Sequence, residues 1–364
     1  MPIGSDVAQQ NAVSTPILTE ARQGVHSCVL DRFPPHDIEL AWRDFLCRAA
    51  FPAALETPEF FLGPHDQSEN PFAVCAFRQA EMIGVLTGFH PRKIVMCGSP
   101  TSPQVCMMPG QEESAAGALL QGLLLEARST KLIEVFTWHS TGLDLFERNG
   151  FRRKQVSGNV VLDLRLGPKT LFQQFHENRK RNIRAALRNG VEVSEVSTDD
   201  DLAAFWEVYC AWRRSERKKI RSRYNFAKAT RVHQLRSNHR RFLARYKGKA
   251  IAATHVRFCP GGLIEYTGNC SLDGFVGLRP NDLLIWRTIE WACQQGFTKY
   301  SLAGAHPFLR KSGGAIEPID RYRLDRTLFH SVQRKEDLVT MSRNLFRVVP
   351  GPLQWLITKI LPRR

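Results

Sequence analysis

The sequence has no cysteine pair of the C-x-x-C type, although it contains nine cysteines among its 364 residues. These cysteines are scattered and odd in number, which excludes a disulfide framework and gives no ligand spacing for a metal site. The chain shows no basic and apolar leader, and no run of about 18 apolar residues occurs. We therefore expect a cytoplasmic protein without a signal peptide, a membrane-spanning helix or a bound metal.

Acidic residues are scarce relative to basic ones, with 35 Asp and Glu against 51 Lys and Arg, and the formal net charge is +16. The excess is local, because fifteen Lys and Arg but only one acid, Glu216, lie between Trp212 and Lys249. Such a field attracts polyanions, which include nucleic acid, phosphorylated cofactors and anionic lipid. No zinc-finger or RNP pattern accompanies the charge, so a sequence-specific nucleic-acid reader is not supported. A nucleophile elbow is also missing, so a covalent serine mechanism has no support.

The order of the predicted elements repeats once along the chain. In each half a helix precedes a β-hairpin, and a loop, a second helix and a strand follow. The predicted hairpins 73–89 and 242–258 correspond to each other, as do the helices 112–127 and 282–295. A basic helix is predicted over 169–189. The repeat predicts two α/β domains of one architecture, each with a mixed sheet.

Four segments carry a family resemblance. Residues 145–151 read LFERNGF and are similar to the closing element of the GNAT acyltransferase fold. The segment RKRNIRAALRNGV at 179–191, the strand LIEYTGNCS at 263–271 and the helix PNDLLIWRTIEWACQQG at 280–296 resemble motifs of the FemABX family. The resemblance covers about residues 25–350, with both halves in the expected order.

This resemblance implies an α/β fold of two tandem GNAT-like (acyl-CoA N-acyltransferase) domains with mixed sheets. We expect a flexible tail at 1–22, a first domain at 23–165, a second and catalytic domain at 166–335, and a basic C-terminal helix at 336–364. The implied reaction is N-acyl transfer, most simply of an acetyl group, from acyl-CoA to an amine of a cell-envelope or polysaccharide-related acceptor.

Two alternatives to this reaction stay open. Family members that build peptidoglycan bridges use aminoacyl-tRNA, so the chain is alternatively a peptidyltransferase with that donor. The segment 202–239 is too short for the long helical hairpin that such members often carry, which favours acyl-CoA. The second alternative is a non-catalytic module that binds RNA or a membrane.

The catalytic residues are predicted from an altered family motif. The family carries G-x-x-x-F-K-x-x-F-G after its last core strand, and this chain reads PFLRKSGGA at 307–315. The lysine of the motif aligns with Arg310 or Lys311, either of which can stabilise an oxyanion. Tyr266, at the end of a predicted central strand, is the candidate donor of a proton to the leaving group.

Binding residues are predicted on neighbouring elements. Arg181 and Arg184 lie three residues apart and share one helix face, so they can clamp a carboxylate or phosphate of the acceptor. Glu265 and Asn269 flank the strand end at which α/β proteins often bind ligands.

A donor site is predicted at the start of the second-half helix. Arg279 and Asn281 open the helix 280–295, whose free N–H groups suit the pyrophosphate of CoA. The C-terminal stretch 343–364 has five basic residues and no acid, which suits a peripheral contact with an anionic membrane.

The loop 308–314 generates a first prediction. We expect Arg310→Ala and Lys311→Ala to differ, because one of the two cations stabilises the oxyanion and the other does not. The sensitive variant should lose about 10²–10³ in turnover, equivalent to roughly 2.7–4 kcal/mol of barrier, with its melting temperature unchanged. If both variants keep the full rate, this loop is ordinary surface.

Overall fold

One mixed sheet runs through the described part of the chain, and it contains fourteen strands. The computed structural model describes residues 17–21, 24–62, 69–91, 93–218, 220 and 238–348, with the backbone alone at 17–21, 69 and 343–348. The strands are β1 Ile17–Ala21, β2 Val25–Leu30, β3 Glu69–Arg78, β4 Glu81–Pro91, β5 Ile94–Cys97, β6 Val105–Met107, β7 Leu132–Trp138, β8 Arg152–Asp163, β9 Val191–Glu195, β10 His239–Tyr246, β11 Lys249–Phe258, β12 Leu263–Ser271, β13 Lys299–Ser301 and β14 Ala315–Asp325. Their order in the sheet is β1-β2-β3-β4-β5-β7-β14-β8-β13-β12-β11-β10-β9, and β6 pairs with β4 beside this path.

Helices pack on this sheet and bury its apolar side chains. They are α1 His36–Arg48, α2 Glu112–Glu126, α3 Asp144–Arg148, α4 Gly167–Gln174, α5 Glu177–Arg188, α6 Asp199–Ser215, α7 Pro280–Gln294, α8 Pro307–Arg310 and α9 Ser331–Val348. In the second half, α6 packs in one apolar cluster with Leu243 and Ala253, whereas α7 packs in another with Phe242 and Ala252. Because successive strand residues point to opposite faces, the two helices cover opposite faces of the sheet.

The predicted repeat is confirmed at the level of elements. Each half has one hairpin, β3–β4 or β10–β11, and each has one parallel strand pair joined by a crossover helix. These parallel units are β5–α2–β7 and β12–α7–β13. The mixed α/β fold predicted from the sequence is therefore present in both halves.

The two halves share strands instead of forming separate sheets. Strand β14, which follows the second parallel unit in sequence, lies between β7 and β8 of the first half and is antiparallel to both. Strand β8 in turn pairs with β13 of the second half. The sheet is continuous because β14, of eleven residues, pairs with two strands of the first half, and β8, of twelve residues, pairs with two strands of the second half.

Side chains also join the two halves at the loop before β6. The hydroxyl of Ser102 donates to Oε1 of Glu265 at 2.8 Å, and Nε of Arg257 donates to Oε2 of the same carboxylate at 2.8 Å. Glu265 is only 2% exposed. A buried carboxylate of this kind needs its cation and its hydroxyl donor, so the contact fixes the first half against β12.

The predicted basic helix over 169–189 is two helices, α4 and α5, separated at Phe175 and His176. His176 has extended backbone geometry, and its Nδ1 accepts from the N–H of Asn178, which caps α5. Its own N–H donates to the carbonyl of Lys311 at 2.9 Å. Helical periodicity continues through this break, so the sequence pattern did not reveal it.

Both ends of the described chain differ from the expected boundaries. Residues 17–21, predicted as part of the tail 1–22, form β1, whose backbone pairs with the edge of β2. Residues 1–16, 22 and 23 lie outside the described residues. Helix α9 begins at Ser331, five residues before the predicted start at 336, and the sequence beyond 348 is outside the described part. Among the helices that the structure describes, none is long and apolar enough to cross a membrane.

The inserted strand β14 generates a stability prediction. The hydroxyl of Tyr322, on β14, accepts from the buried N–H of Leu143 at 3.0 Å, next to the start of α3. Tyr322→Phe leaves this N–H without its acceptor and should lower the free energy of unfolding by about 1–3 kcal/mol, measured by urea denaturation. The half-buried Tyr246 is the matched control, and Tyr246→Phe should change stability by less than about 0.5 kcal/mol. Equal effects of the two variants would contradict the role given to Tyr322.

Candidate active site

The parallel pair β12–β13 opens at its carboxyl end. Residues 263–265 of β12 pair with residues 299–301 of β13, and β12 then continues to Ser271 without a described partner on that side. Strand β13 ends at Ser301. Since ligands of open α/β sheets bind where neighbouring strands separate at their carboxyl ends, this opening is the natural place for a site.

A β-bulge lies in β12 just beyond the opening. Tyr266 pairs with Val256 and Asn269 with Thr254, so β12 has one residue more than β11 between these two pairs. Gly268 in the bulge has φ +121°, and a Cβ built there meets no atom within 4 Å. The hydroxyl of Thr254 donates to the carbonyl of Gly268 at 2.7 Å and holds the bulge in place. Bulges are frequent next to active sites, and this one leaves open space beside the strand.

The hydroxyl of Tyr266 is buried beside the Thr254 side chain and has no well-formed hydrogen bond among the described residues. The residue is 3% exposed, and its side chain packs in the apolar cluster beneath α7. Burial raises the pKa of Tyr266 well above its usual value, and the neighbouring Tyr300 adds to the shift. The phenol therefore keeps its proton at neutral pH and acts as a hydrogen-bond donor in need of an acceptor.

The buried cation near Tyr266 is Arg179, at the start of α5. Its side chain is fully buried, its Nη1 donates to Ser312 Oγ and its Nη2 to the carbonyl of Phe308, both at 2.5 Å. The guanidinium also lies 4.5 Å from the centre of the Phe308 ring. Burial lowers the pKa of Arg179, yet an arginine stays charged, and its charge acts on the Tyr266 hydroxyl.

Asp282, in the first turn of α7, is the counter-ion of Arg179. Its Oδ1 lies 3.2 Å from Nε of Arg179, and its Oδ2 accepts from the side-chain amide of Asn182 at 2.9 Å. The carboxylate is 6% exposed. This pair joins α5 to the start of α7. Arg179 also neutralises Asp282, whose negative charge would otherwise disfavour an anion at the start of α7.

The two predicted catalytic cations lie at the end of α8 and in the loop that follows it. Arg310 is exposed and its Nε donates to the carbonyl of Ala305. Lys311 is half-buried, and its carbonyl accepts from His176. The glycine that ends the loop approaches protein backbone, because a Cβ on Gly314 would lie 2.6 Å from the carbonyl oxygen of Val161.

The predicted acceptor clamp lies on the outer side of α5. Arg181 and Arg184 are both exposed, and Arg184 stacks over Phe172 at 5.6 Å. Arg179 faces the interior together with Ile183 and Ala186, at the spacing i, i+4, i+7. On this helix, Arg179 lies near Tyr266, whereas Arg181 and Arg184 face outward. The apolar partners at this spacing are the sequence signal that identifies Arg179 as the inward cation.

The remaining predicted residues divide between the opening and the junction of the two halves. Asn269 is half-buried on β12 beside the bulge. Arg279 is exposed before α7 with φ 60°, and the side-chain amide of Asn281 donates to Ser271 at 3.2 Å while its buried Oδ1 is unpaired. Glu265 points to the other face of β12, where Ser102 and Arg257 bind its carboxylate.

No group of three or more metal-ligating side chains occurs among the described residues. The polar atoms around the opening are instead hydrogen-bond donors and acceptors without partners. They are Tyr266 Oη and Asn281 Oδ1. Nε of Arg179 and Oδ1 of Asp282 face each other at 3.2 Å as the two sides of the ion pair. Buried polar atoms that lack partners indicate a place where a bound molecule supplies them.

Two family models match the chain. The GNAT acetyltransferase domain matches residues 174–310, and the FemAB family matches residues 111–228. The first match contains β12, α7 and β13, and the two matches overlap at α5. They confirm the resemblance that the motifs indicate. No curated protein sequence matches the chain.

Solved structures confirm the fold. FemX superposes with a TM-score of 0.66 at 12% identity, over 81% of this chain and 98% of FemX. The C-terminal domain of a protein described as a lysylphosphatidylglycerol synthetase from Agrobacterium fabrum gives 0.56 at 12% identity, over 83% and 96%. A tandem GNAT protein of the clavulanic acid pathway gives 0.54 at 13% identity, over 84% and 99%. The tandem GNAT-like architecture is thus shared across these chains.

The Arg179–Asp282 pair generates a third prediction. Arg179→Met leaves the buried carboxylate of Asp282 without its counter-ion and should lower the free energy of unfolding by about 3–5 kcal/mol. In the double variant Arg179→Met/Asp282→Asn, no unpaired carboxylate charge is left behind. The loss of stability should therefore differ from the sum of the two single losses by a coupling energy of about 0.5–3 kcal/mol, measured by urea denaturation. Arg181→Met, an exposed arginine on the same helix, is the matched control and should stay within about 0.5 kcal/mol of the wild type. Additive effects of the two substitutions would rule out the pair as described.

Proposed function

We propose that this chain, a transferase of the FemAB and GNAT acyltransferase type, moves an acyl group from acyl-CoA to an amine of a cell-envelope or polysaccharide-related acceptor. The simplest acyl group is acetyl. The observation that carries the proposal is the opening between β12 and β13, with its bulge and its unpaired buried donor, Tyr266. The reaction proceeds by direct attack in a ternary complex, without an acyl-enzyme.

The opening suits the amide-bearing arm of CoA. Beyond Glu265 the edge of β12 has no described strand beside it, so its backbone groups can pair with an extended ligand as a further strand does. The open space at Gly268 admits the close approach of such a ligand. The thioester then reaches the part of β12 that contains Tyr266, just beyond the residues paired with β13.

The pyrophosphate of CoA is assigned to the start of α7. Arg279 precedes this helix and is exposed, and Asn281 lies within its first turn. A helix start binds phosphate through free N–H groups and the helix dipole. Asp282 does not oppose an anion here because Arg179 neutralises it.

The chemical step needs stabilisation of negative charge. The nitrogen of the acceptor attacks the thioester carbonyl carbon, the carbon–sulfur bond breaks, and the proton lost by nitrogen ends on the leaving thiolate. In place of the proton transfer to the leaving group expected from the sequence, we propose that Tyr266 donates a hydrogen bond to the oxyanion and keeps its proton, because burial raises the pKa of the phenol. Arg179 supplies a fixed positive charge nearby. Arg310 or Lys311 remains the proposed additional cation of the loop.

The predicted acceptor-binding residues stay proposals of the same kind. Arg181 and Arg184 on the exposed side of α5 suit a carboxylate or phosphate of a large acceptor, and Asn269 lies at the bulge. Glu265 contributes from the junction, through the position of β12. We propose a cytoplasmic location, since the nine cysteines are free thiols and CoA is available in that compartment.

The donor is tested by thiol release. With acetyl-CoA and a panel of amino sugars and diamines, the chain should release free thiol in an acceptor-dependent manner. Tyr266→Phe should lower that rate by about 10²–10³, because one oxyanion donor is lost. Its melting temperature should not fall, since the hydroxyl has no well-formed hydrogen bond in the described structure.

Tyr246→Phe, on β10, is the matched control and should keep the wild-type rate. Dependence on charged tRNA, with no thiol released for any acceptor, would replace acyl-CoA with aminoacyl-tRNA as the donor. Salt-sensitive RNA binding without turnover would indicate the non-catalytic module.

A further inference from the structure

The most exposed large apolar side chains of the described residues gather at one helix. They are Leu328 at 78%, Phe329 at 69%, Leu338 at 67% and Met341 at 62%. Two of them precede α9 directly, and the other two lie on it, three residues apart and therefore on one face. Apolar patches of this kind on a folded chain mark a surface that meets another body.

The outward face of α9 also carries positive charge. Arg334 and Lys335 are exposed and, at helical spacing, share the stripe of Leu338 and Met341. The opposite side of the helix holds Gln333, Glu336 and Asp337, which contact β8 and β14. The helix is therefore amphipathic in two senses: its acids face the protein, and its apolar and basic residues face outward.

Glu336 fixes α9 to the sheet. Its carboxylate binds Lys154 at 2.7 Å and Arg321 at 2.8 Å, and it also pairs with Arg323. Burial acts to raise the pKa of Glu336, yet these cations hold it at about 2. These ion pairs join α9 to β8 and β14.

The turn before α9 is held equally firmly. The carboxylate of Asp325 accepts from the N–H of Thr327 at 2.9 Å and from the N–H of Gln333 at 2.8 Å. Phe329, between them, has φ 55°, a left-handed geometry that is costly for an aromatic residue. A strained turn tied at both ends keeps Leu328 and Phe329 outside the core.

The sequence that continues from this helix indicates what covers the surface. From Leu338 to Arg364 the chain has five basic residues and no acid. It also contains Trp355, Leu356, Ile357 and Ile360. Apolar and aromatic residues interleaved with cations match a lipid–water interface with negative headgroups, whereas a protein partner would need a complementary acidic and apolar patch.

We infer that the exposed face of α9, with Leu328 and Phe329, docks on an anionic lipid bilayer. The apolar side chains enter the headgroup region, while Arg334 and Lys335 contact acidic headgroups. A protein bound in this way works on acceptors at the membrane surface. The inference does not depend on the identity of the acyl donor.

Vesicle binding tests it without any substrate. The full chain should co-sediment with vesicles of equal parts phosphatidylglycerol and phosphatidylcholine, and weakly or not at all with phosphatidylcholine alone. Leu338→Ser/Met341→Ser should weaken binding by about tenfold or more, because two inserted apolar side chains are lost. Leu338→Glu/Met341→Glu should weaken it further. Leu166→Glu/Leu187→Glu replaces two exposed leucines elsewhere, at 45% and 44%, and is the matched control that should bind as the wild type does.

Melting curves of all variants establish that each is folded, and the α9 substitutions are on an exposed face. Equal vesicle binding by the wild type and the serine variant would overturn the inference. A change from dimer to monomer in the serine variant, with vesicle binding unaltered, would assign this face to a second copy of the chain. Thiol release from acetyl-CoA with water-soluble amines is measured separately, so failure of the proposed reaction and failure of the membrane contact are distinguishable.

Discussion

The buried guanidinium of Arg179 holds the candidate active site together. It binds α8 through the carbonyl of Phe308, the loop after α8 through Ser312, and the start of α7 through Asp282. Removing a charge from water costs several kcal/mol unless partners replace the solvent, and here three separate elements supply them. The position of each element therefore depends on the same cation. This arrangement keeps the elements around Tyr266 and the open end of the β12–β13 pair in place.

The sequence predicts much of the fold because local periodicity and turn chemistry determine it. The two hairpins, the helices near 112–127 and 282–295, and the repeat of the parallel units are visible in the pattern of apolar residues. The break at His176 is not, since its geometry depends on a hydrogen bond to Lys311, far along the chain. The insertion of β14 between β7 and β8 is likewise a long-range choice that periodicity cannot specify.

The candidate site was predicted in part for the same reason. Tyr266, Asn269 and Asn281 were predicted from where strands and helices were expected to end; Tyr266 and Asn269 lie on β12 beyond the residues paired with β13, Asn281 lies in the first turn of α7, and their roles stay proposals. Arg179 lies in the predicted basic helix 169–189 and was not predicted as a site residue, because charge alone does not distinguish a solvated arginine from one with a buried counter-ion. Gly314 illustrates a further ambiguity, since its flexibility serves an approach to Val161 and not to a ligand. Contacts between distant segments decide such cases.

Strand β14 has a consequence for how the chain is made. It pairs with β7 and β8, and residues 139 and 320, in contact across this pairing, are 181 positions apart in sequence. A ribosome releases β7 and β8 long before their shared partner exists, so during synthesis both strands present open edges. Native pairing of this region therefore waits until β14 has been synthesised, and until then the open edges of β7 and β8 are available to non-native strands. The tandem architecture is completed only by β14, the last strand that the structure describes.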